Sequence, residues 1–108
     1  MNADDGFRVV LVTAPHAVIG RKIARAVLEA RLVACVNIVP KIESLYLWKG
    51  QIQRDSEVLL VMKTRTAKIN HLETAVKEAH PYEVPEFVAL PIAEGSREYL
   101  KWLADSDQ

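Results

Sequence analysis

The sequence predicts an α+β fold of the ferredoxin-like plait type, in which the element order βαββαβ is followed by a short C-terminal helix. Three observations indicate it: short Val-rich segments typical of buried strands, two segments with apolar residues at helical spacing, and one long segment typical of a β-hairpin. With 108 residues, half of them apolar, the chain is long enough to form one domain around its own core. We expect that domain at residues 7–104, with flexible ends at 1–6 and 105–108.

The first third of the chain predicts a strand, a helix and a second strand. FRVVLVTA (7–14) is apolar on both alternations, which is typical of a central strand covered on both faces. Thr13 and Pro15 suit a helix entry, with the proline in the first turn. VACVNIVP (33–40) predicts another buried strand. The helix between the strands is amphipathic, because apolar residues recur at helical spacing: Ile19, Ile23, Val27 and Ala30.

Residues 41–64 predict an unusually long hairpin with its turn at Lys49-Gly50. Joined to the preceding strand, the outgoing arm has about fifteen residues and a length of roughly 50 Å. A domain of this size is only roughly 35 Å across, so its own body cannot cover the tip. The tip nevertheless carries large apolar residues: Leu45, Tyr46, Leu47, Trp48 and Ile52. Such a tip calls for a partner surface.

The second half predicts a helix, a strand and the C-terminal helix. Thr66 can cap the first of these helices, which ends at His80 because the next residue is proline. EFVALPI (86–92) predicts the fourth strand, and Pro91 places it at a sheet edge or beside a bulge. The last helix begins at residues 95–96. The apolar face of the longer helix consists of Ile69, Leu72, Val76 and Ala79.

Charge and cysteine content argue against several classes of function. Fourteen basic residues balance fourteen acidic ones without a Lys/Arg cluster, so we expect no nucleic-acid partner and no membrane partner. The sequence contains no Gly-rich phosphate loop, no closely spaced zinc ligands and no apolar run of bilayer length. Cys35 is the single cysteine, so no internal disulfide forms, and we expect a cytoplasmic protein.

Five residues along the strands have both a structural and a functional interpretation. Cys35 lies in an apolar strand and is predicted as a small buried hydrophobe, because no neighbouring positive charge in the sequence would activate its thiol. Asn37 shares its face and needs a hydrogen-bond partner. Tyr46 and Trp48 alternate onto one hairpin face, where they pack against a partner or stack on a ligand. Lys63 is either a solvated strand end or a cation facing an anionic group in a cleft.

The connector HPYEVPE (80–86) is the strongest candidate for a functional site. In the structural interpretation its prolines stop the helix and set the strand entry, while Tyr82 covers the sheet edge. In the functional interpretation the prolines hold His80, Glu83 and Glu86 in fixed directions. Imidazole and carboxylate groups suit Cu²⁺ or Zn²⁺ coordination, or general acid–base chemistry, and a second protomer could complete the site.

Several motifs occur together in a familiar order and spacing. They are ACVNI (34–38), YLWKGQI (46–52), SEVLLVMKT (56–64), HPYEVPE (80–86), LPI (90–92) and YLKW (99–102). On these motifs the sequence resembles the CutA divalent-cation-tolerance family over roughly residues 8–103. The resemblance implies a PII-like homotrimer and a role in tolerance of copper and other divalent cations. The overlong hairpin with its apolar tip further predicts that strands of neighbouring subunits pair. It implies no established catalytic reaction and no obligatory cofactor.

The resemblance also implies a set of cleft residues and one departure from it. Copper-binding members are described with a cysteine in the first strand and two adjacent histidines before the proline. Here Val12 and Ala79 occupy the first-strand position and the first histidine position. Only His80 remains, and with Glu83 it forms the predicted metal site, of modest affinity for Cu²⁺. The shared cleft positions fall on Cys35, Trp48, Lys63, His80, Tyr82, Glu83 and Glu86.

Three functions are alternatives at this point. The leading one is a homotrimer that binds Cu²⁺ or a related divalent cation weakly through His80 and Glu83 near an inter-subunit cleft. The second is a PII-like sensor or adaptor that binds a small anionic effector or a partner protein in that cleft. In it Lys63 would hold the effector's charge, with stacking on Trp48 or Tyr82. The third is an enzyme of unknown substrate that uses His80 or Glu83 as acid–base.

Overall fold

The computed structural model describes residues 6–106. Their helices and strands are β1 Phe7–Ala14, α1 Ala17–Glu29, β2 Cys35–Trp48, β3 Gln51–Arg65, α2 Ile69–Ala79, β4 Val88–Pro91 and α3 Arg97–Asp105. The strands form one antiparallel sheet in the order β2-β3-β1-β4. This is the order of a ferredoxin-like plait, so the predicted fold class is confirmed. Pro91 lies in the edge strand β4, as predicted, although β4 is shorter than the predicted 86–92.

The predicted domain bounds of 7–104 stay a prediction, and the described residues on either side of them make contacts of their own. The backbone carbonyl of Gly6 accepts a hydrogen bond from the backbone N–H of Thr66 at 2.9 Å, and α3 continues to Asp105. Residues 1–5 and 107–108 of the predicted flexible ends lie outside the described residues. Thr66 does not cap α2, because a short 3₁₀ turn over Thr66–Lys68 precedes that helix and no side chain caps either element. None of the helices in residues 6–106 is long and apolar enough to cross a membrane.

One face of the sheet carries the hydrophobic core beneath α1 and α2. The side chains of Val10, Val12 and Ala14 in β1 are fully buried there, as expected for a central strand. In α1, Gly20 allows the helix to lie close to β3, because a Cβ at this position would be 3.0 Å from Val58 Cγ2. The rest of the buried cluster is Ile23, Val27, Val33, Leu60, Met62, Leu72 and Val76.

Two predictions for the first third of the chain are wrong. His16 is the N-cap of α1, and its Nδ1 accepts a hydrogen bond from the backbone N–H of Ile19 at 3.5 Å. Pro15 therefore precedes the cap and does not lie in the first turn. The predicted buried strand at 33–40 begins only at Cys35, as part of the edge strand β2; Val33 before it is buried, whereas Val36 and Ile38 are only partly buried against the core. The apolar pattern predicted a strand here, but it did not show that the strand lies at the edge of the sheet.

The predicted hairpin is confirmed as β2 and β3. Its turn residues Lys49 and Gly50 have φ of 51° and 78°, the left-handed pair that a type I′ turn requires. The arms are paired up to Trp48 and Gln51, directly beside that turn. The overall extents of 45 × 26 × 22 Å agree with arms that project beyond the body.

The hairpin tip has two chemically different faces, because opposite residues of an antiparallel pair share a face and neighbours alternate. Leu47 lies opposite Ile52, and Tyr46 lies opposite Gln53. The apolar hairpin face consists of Leu45, Leu47 and Ile52. The groove face includes Tyr46, Trp48, Gln53, Asp55 and Glu57.

The third helix lies on the side of the sheet away from α1 and α2, which we call the open face. Cys35 is paired with Lys63, whose neighbours along β3 point into the core. The hydroxyl of Tyr99 in α3 is 3.9 Å from Cys35 Sγ, so α3 crosses the open face here. Leu103 is buried by this packing. The β4 side chains on the open face remain exposed, so α3 covers the face only in part.

Candidate functional site

A groove of about 830 Å³ opens where the hairpin meets the open face of the sheet. Strand β1 contributes one residue to it, the two hairpin arms contribute their groove face, and the connector after α2 contributes the rest. The lining consists of Thr13, Tyr46, Trp48, Gln53, Asp55, Glu57, Tyr82, Glu83, Val84 and Glu86. The groove is therefore walled by aromatic rings and carboxylates.

Two phenol–carboxylate hydrogen bonds connect the walls of the groove. The Tyr46 hydroxyl donates to Asp55 Oδ2 at 2.5 Å and joins the two arms. The Tyr82 hydroxyl donates to Glu57 Oε2 at 2.9 Å and joins the connector to β3. Burial and this bond to Glu57 raise the pKa of Tyr82 to about 12. The bond to Asp55, followed by burial, raises the pKa of Tyr46.

His80 lies behind the groove and holds the connector in place. It is the C-cap residue of α2 and is only 8% exposed. Its Nε2 is 2.7 Å from the backbone carbonyl of Thr13, and its Nδ1 accepts from the backbone N–H of Tyr82 at 3.1 Å. A carbonyl can only accept, so Nε2 carries the proton and the imidazole is neutral in this arrangement. The ring also packs on Tyr82, with centroids 4.6 Å apart.

The charge of the groove suits a cation. Its lining contains four carboxylates, and no lysine or arginine among the described residues lines it. Glu57 is 9% exposed, and no described basic residue forms an ion pair with it. In residues 6–106 no group of three His, Cys, Asp or Glu side chains converges as a metal cage would require. Metal binding by His80 and Glu83 therefore stays a prediction.

The predicted cleft residues fall into two places. Trp48, Tyr82, Glu83 and Glu86 line the groove, with His80 behind them. The remaining two, Cys35 and Lys63, lie opposite each other on the open face near α3. Lys63 is six residues from Glu57 along β3, which corresponds to roughly 20 Å in a strand. These two cleft residues therefore do not line the groove in one protomer.

The pair on the open face has its own contacts. Lys63 Nζ donates a hydrogen bond to Asn37 Oδ1, which confirms that Asn37 takes part in a structural hydrogen bond. Cys35 is half-buried rather than buried. The Lys63 charge that lies beside it could not be seen in its local sequence, because cross-strand register creates this neighbour.

The sequence analysis did not identify Asp55 and Glu57, two of the four carboxylates that line the groove. Asp55 and Glu57 lie in the polar run QRDSE (53–57) of β3, and a polar run does not by itself show which face of a hairpin each side chain occupies. Their position opposite the aromatic arm follows once the turn at Lys49-Gly50 fixes the register, because alternate residues then share the face of Tyr46. The register set by this turn is therefore the feature of the sequence from which both carboxylates could have been placed in the groove.

Alkaline pH is expected to destabilise the fold between about pH 10 and pH 12. The pKa of each tyrosine is raised: in Tyr99 the cause is burial, followed by the contact with Cys35. Above pH 10 the unfolded chain loses phenolic protons that the folded chain still holds, so stability falls as pH rises and is fully retained below pH 10. Urea unfolding across this range measures the effect, and Tyr82→Phe should make the decline shallower. Native tyrosines that ionise at the same pH as in urea would contradict it.

The protein is a small ferredoxin-like plait with a projecting hairpin and a groove walled by aromatic rings and carboxylates. Because proteins of many functions share this plait, the groove rather than the fold indicates the function. Residues 8–106 match the family described as "CutA1 divalent ion tolerance protein". The chain therefore belongs to the CutA1 divalent ion tolerance family.

Individual relatives agree with this assignment. The chain is 54% identical over 98 residues to "Divalent-cation tolerance protein CutA" of Thermus thermophilus, which covers 91% of this chain and 95% of that protein. A solved structure of the "Divalent cation tolerance protein (Cut A1)" from Thermus thermophilus is similar with a TM-score of 0.90 and 53% identity, covering 93% of this chain and 97% of that one. "Protein CutA, chloroplastic" of Arabidopsis thaliana is 50% identical over 98 residues, covering 91% of this chain and 54% of that protein.

Proposed function

We propose that this chain forms a homotrimer that acts in tolerance of divalent cations and binds Cu²⁺ or a related cation weakly in the groove. The observation that carries the proposal is the charge of the described lining, which has four carboxylates and no lysine or arginine. A concave surface of one charge sign concentrates ions of the opposite sign. The description of the family, "divalent ion tolerance protein", supports a role linked to divalent cations.

In this proposal Glu83 is a metal ligand and His80 positions it. Coordination through the His80 ring would cost either the hydrogen bond to the Thr13 carbonyl or the one from the Tyr82 N–H. Glu83 lines the groove and has no such constraint among the described contacts. Because three ligands do not converge in residues 6–106, water or a neighbouring subunit would complete the coordination, which supports a weak site.

The homotrimer is proposed because three features of the protomer lack a cover. The apolar hairpin face is exposed, with Leu47 and Ile52 at 73% and 74%. The open face is covered by α3 only in part, and β2 offers an unpaired edge. Exposed apolar strands of this length favour pairing with another copy.

The other two candidate functions receive less support from the site. An anionic effector would meet four carboxylates in the groove, while Lys63 is held on the open face by Asn37. An acid–base role for His80 would need a free ring nitrogen, and both of its nitrogens are hydrogen-bonded. We therefore propose a binding role without a catalytic step.

A cytoplasmic location is part of the proposal. It is supported by the single cysteine, Cys35, which needs no oxidising compartment. The Arabidopsis relative is called chloroplastic, so location is not common to all relatives.

Calorimetric titration with Cu²⁺ and Zn²⁺ tests the metal site. Glu83→Gln is expected to weaken binding by about tenfold, because a neutral amide replaces a charged ligand. The matched control is Glu78→Gln, since Glu78 is exposed on α2 and does not line the groove. Binding that persists below the ordinary histidine range of about pH 6.5 supports carboxylate ligands, whereas loss through that range would assign the metal to an imidazole. Equal affinities of the wild type and Glu83→Gln would remove Glu83 from the site.

A further inference from the structure

Glu57 is a buried carboxylate for which the described residues provide no cationic partner. It is nine-tenths buried, and its one described hydrogen bond comes from the Tyr82 hydroxyl to Oε2. Buried charges in proteins are normally paired or bind a cation, because desolvation is costly. Glu57 also lines the groove, so a cation in the groove can reach it.

The layout of the groove also suits an extended ligand that carries more than one charge. Its carboxylates are spread along the hairpin and the connector, and no three of the described acidic, histidine or cysteine side chains converge on a point. Its volume of about 830 Å³ lies in the range of small-molecule sites. A chain with several separated positive charges would meet several carboxylates at once.

The aromatic walls of the groove also suit an organic cation. Tyr46, Trp48 and Tyr82 line the same groove, and aromatic faces attract ammonium groups while they pack on methylene groups. Trp48 makes a contact of this kind within the chain, since Lys49 Nζ lies 5.8 Å from its ring centroid. Hydrated metal ions gain less from such rings than alkylammonium ions, which shed water more readily.

We infer that the groove binds an aliphatic polyamine, with ammonium groups against Glu57 and the other groove carboxylates and methylene groups against Trp48 and Tyr46. This inference goes beyond the divalent-cation role proposed above and shares only the carboxylates with it. The ligand class is defined by two or more ammonium groups separated by short alkyl segments.

Calorimetry with a graded set of probes tests the inference. The probes are spermine, 1,4-diaminobutane, n-butylamine and the uncharged 1,4-butanediol. Spermine is expected to bind at least about tenfold more tightly than n-butylamine, because several ammonium groups engage at once, and the diol should give no binding heat. Quenching of Trp48 fluorescence by spermine, absent in Trp48→Leu, gives a second readout. Equal affinity for spermine and n-butylamine would overturn the inference.

Three variants separate the groove from general surface charge. Glu57→Gln and Glu83→Gln should each weaken spermine binding by about tenfold. Since Glu83 is exposed, its variant remains informative if Glu57→Gln fails to fold. The control is Glu43→Gln on the opposite side of the same hairpin, where Glu43 pairs with Arg54 at 3.4 Å. A loss in Glu43→Gln equal to that in the groove variants would overturn the inference, because it would show non-specific attraction.

Separate titrations with Cu²⁺ distinguish this inference from the proposed function. They are not run as competitions, because amines chelate Cu²⁺. Cu²⁺ binding without spermine binding overturns the inference and leaves the proposed function in place. Spermine binding without Cu²⁺ binding supports the inference and removes the metal from the groove.

Discussion

Replacing Leu47 and Ile52 together by lysine is expected to convert the proposed trimer into monomers. The two residues are paired across the hairpin, share the apolar hairpin face and are both more than 70% exposed in the protomer. If a neighbouring subunit covers these residues, each subunit contact in the variant buries two unpaired lysine charges. Burying an unpaired charge costs several kcal/mol per ion, which is more than a contact at the rim of an interface contributes to binding. Light scattering coupled to size exclusion should show about three times the 12.1 kDa chain mass for the wild type and one chain mass for the variant.

The control for this variant makes the same chemical change elsewhere. Val18 and Leu28 are exposed on α1, at 63% and 40%, and belong to neither the hairpin nor the open face. Their joint replacement by lysine should leave the trimer mass unchanged. A wild-type protein that is monomeric at micromolar concentration, or a hairpin variant that keeps the full trimer mass, would contradict the proposed assembly.

Replacing His80 by alanine is expected to lower the free energy of unfolding by about 2–4 kcal/mol. The substitution removes a buried ring that packs on Tyr82 and leaves the Thr13 carbonyl and the Tyr82 N–H without their partners. Unsatisfied buried groups account for much of this loss, and the cavity accounts for the rest. Urea unfolding at one fixed protein concentration measures it, because stability and assembly are linked.

Two further variants identify the cause of the loss. His71→Ala, at an exposed position of α2, should change stability by no more than about 0.5 kcal/mol. His80→Asn keeps an acceptor near the place of Nδ1 and should restore part of the lost stability through the Tyr82 N–H. If His80→Ala is as stable as His71→Ala, the hydrogen bonds of His80 do not hold the connector, and its ring is free for the ligand role that the sequence predicted.

Local sequence patterns determined most of the fold. Alternating and continuous apolar runs predicted β1 and the hairpin, the helical spacing of apolar residues predicted α1 and α2, and Pro91 predicted an edge strand. Each of these signals acts over a few residues and follows from steric limits on the backbone or from which side chains avoid water. The motifs further indicated the family, which the comparisons established.

Only the tertiary structure decided the composition of the site. Cross-strand register brought Asp55 and Glu57 to the face of Tyr46, placed Lys63 beside Cys35 and so split the predicted cleft residues into two groups. Folding of the connector over β1 enclosed His80 between Thr13 and Tyr82. The physical reason is that these contacts join residues far apart in the chain. The type of a side chain and its neighbours in the sequence limit which interactions it can make. Strand register and packing then determine which partner it contacts.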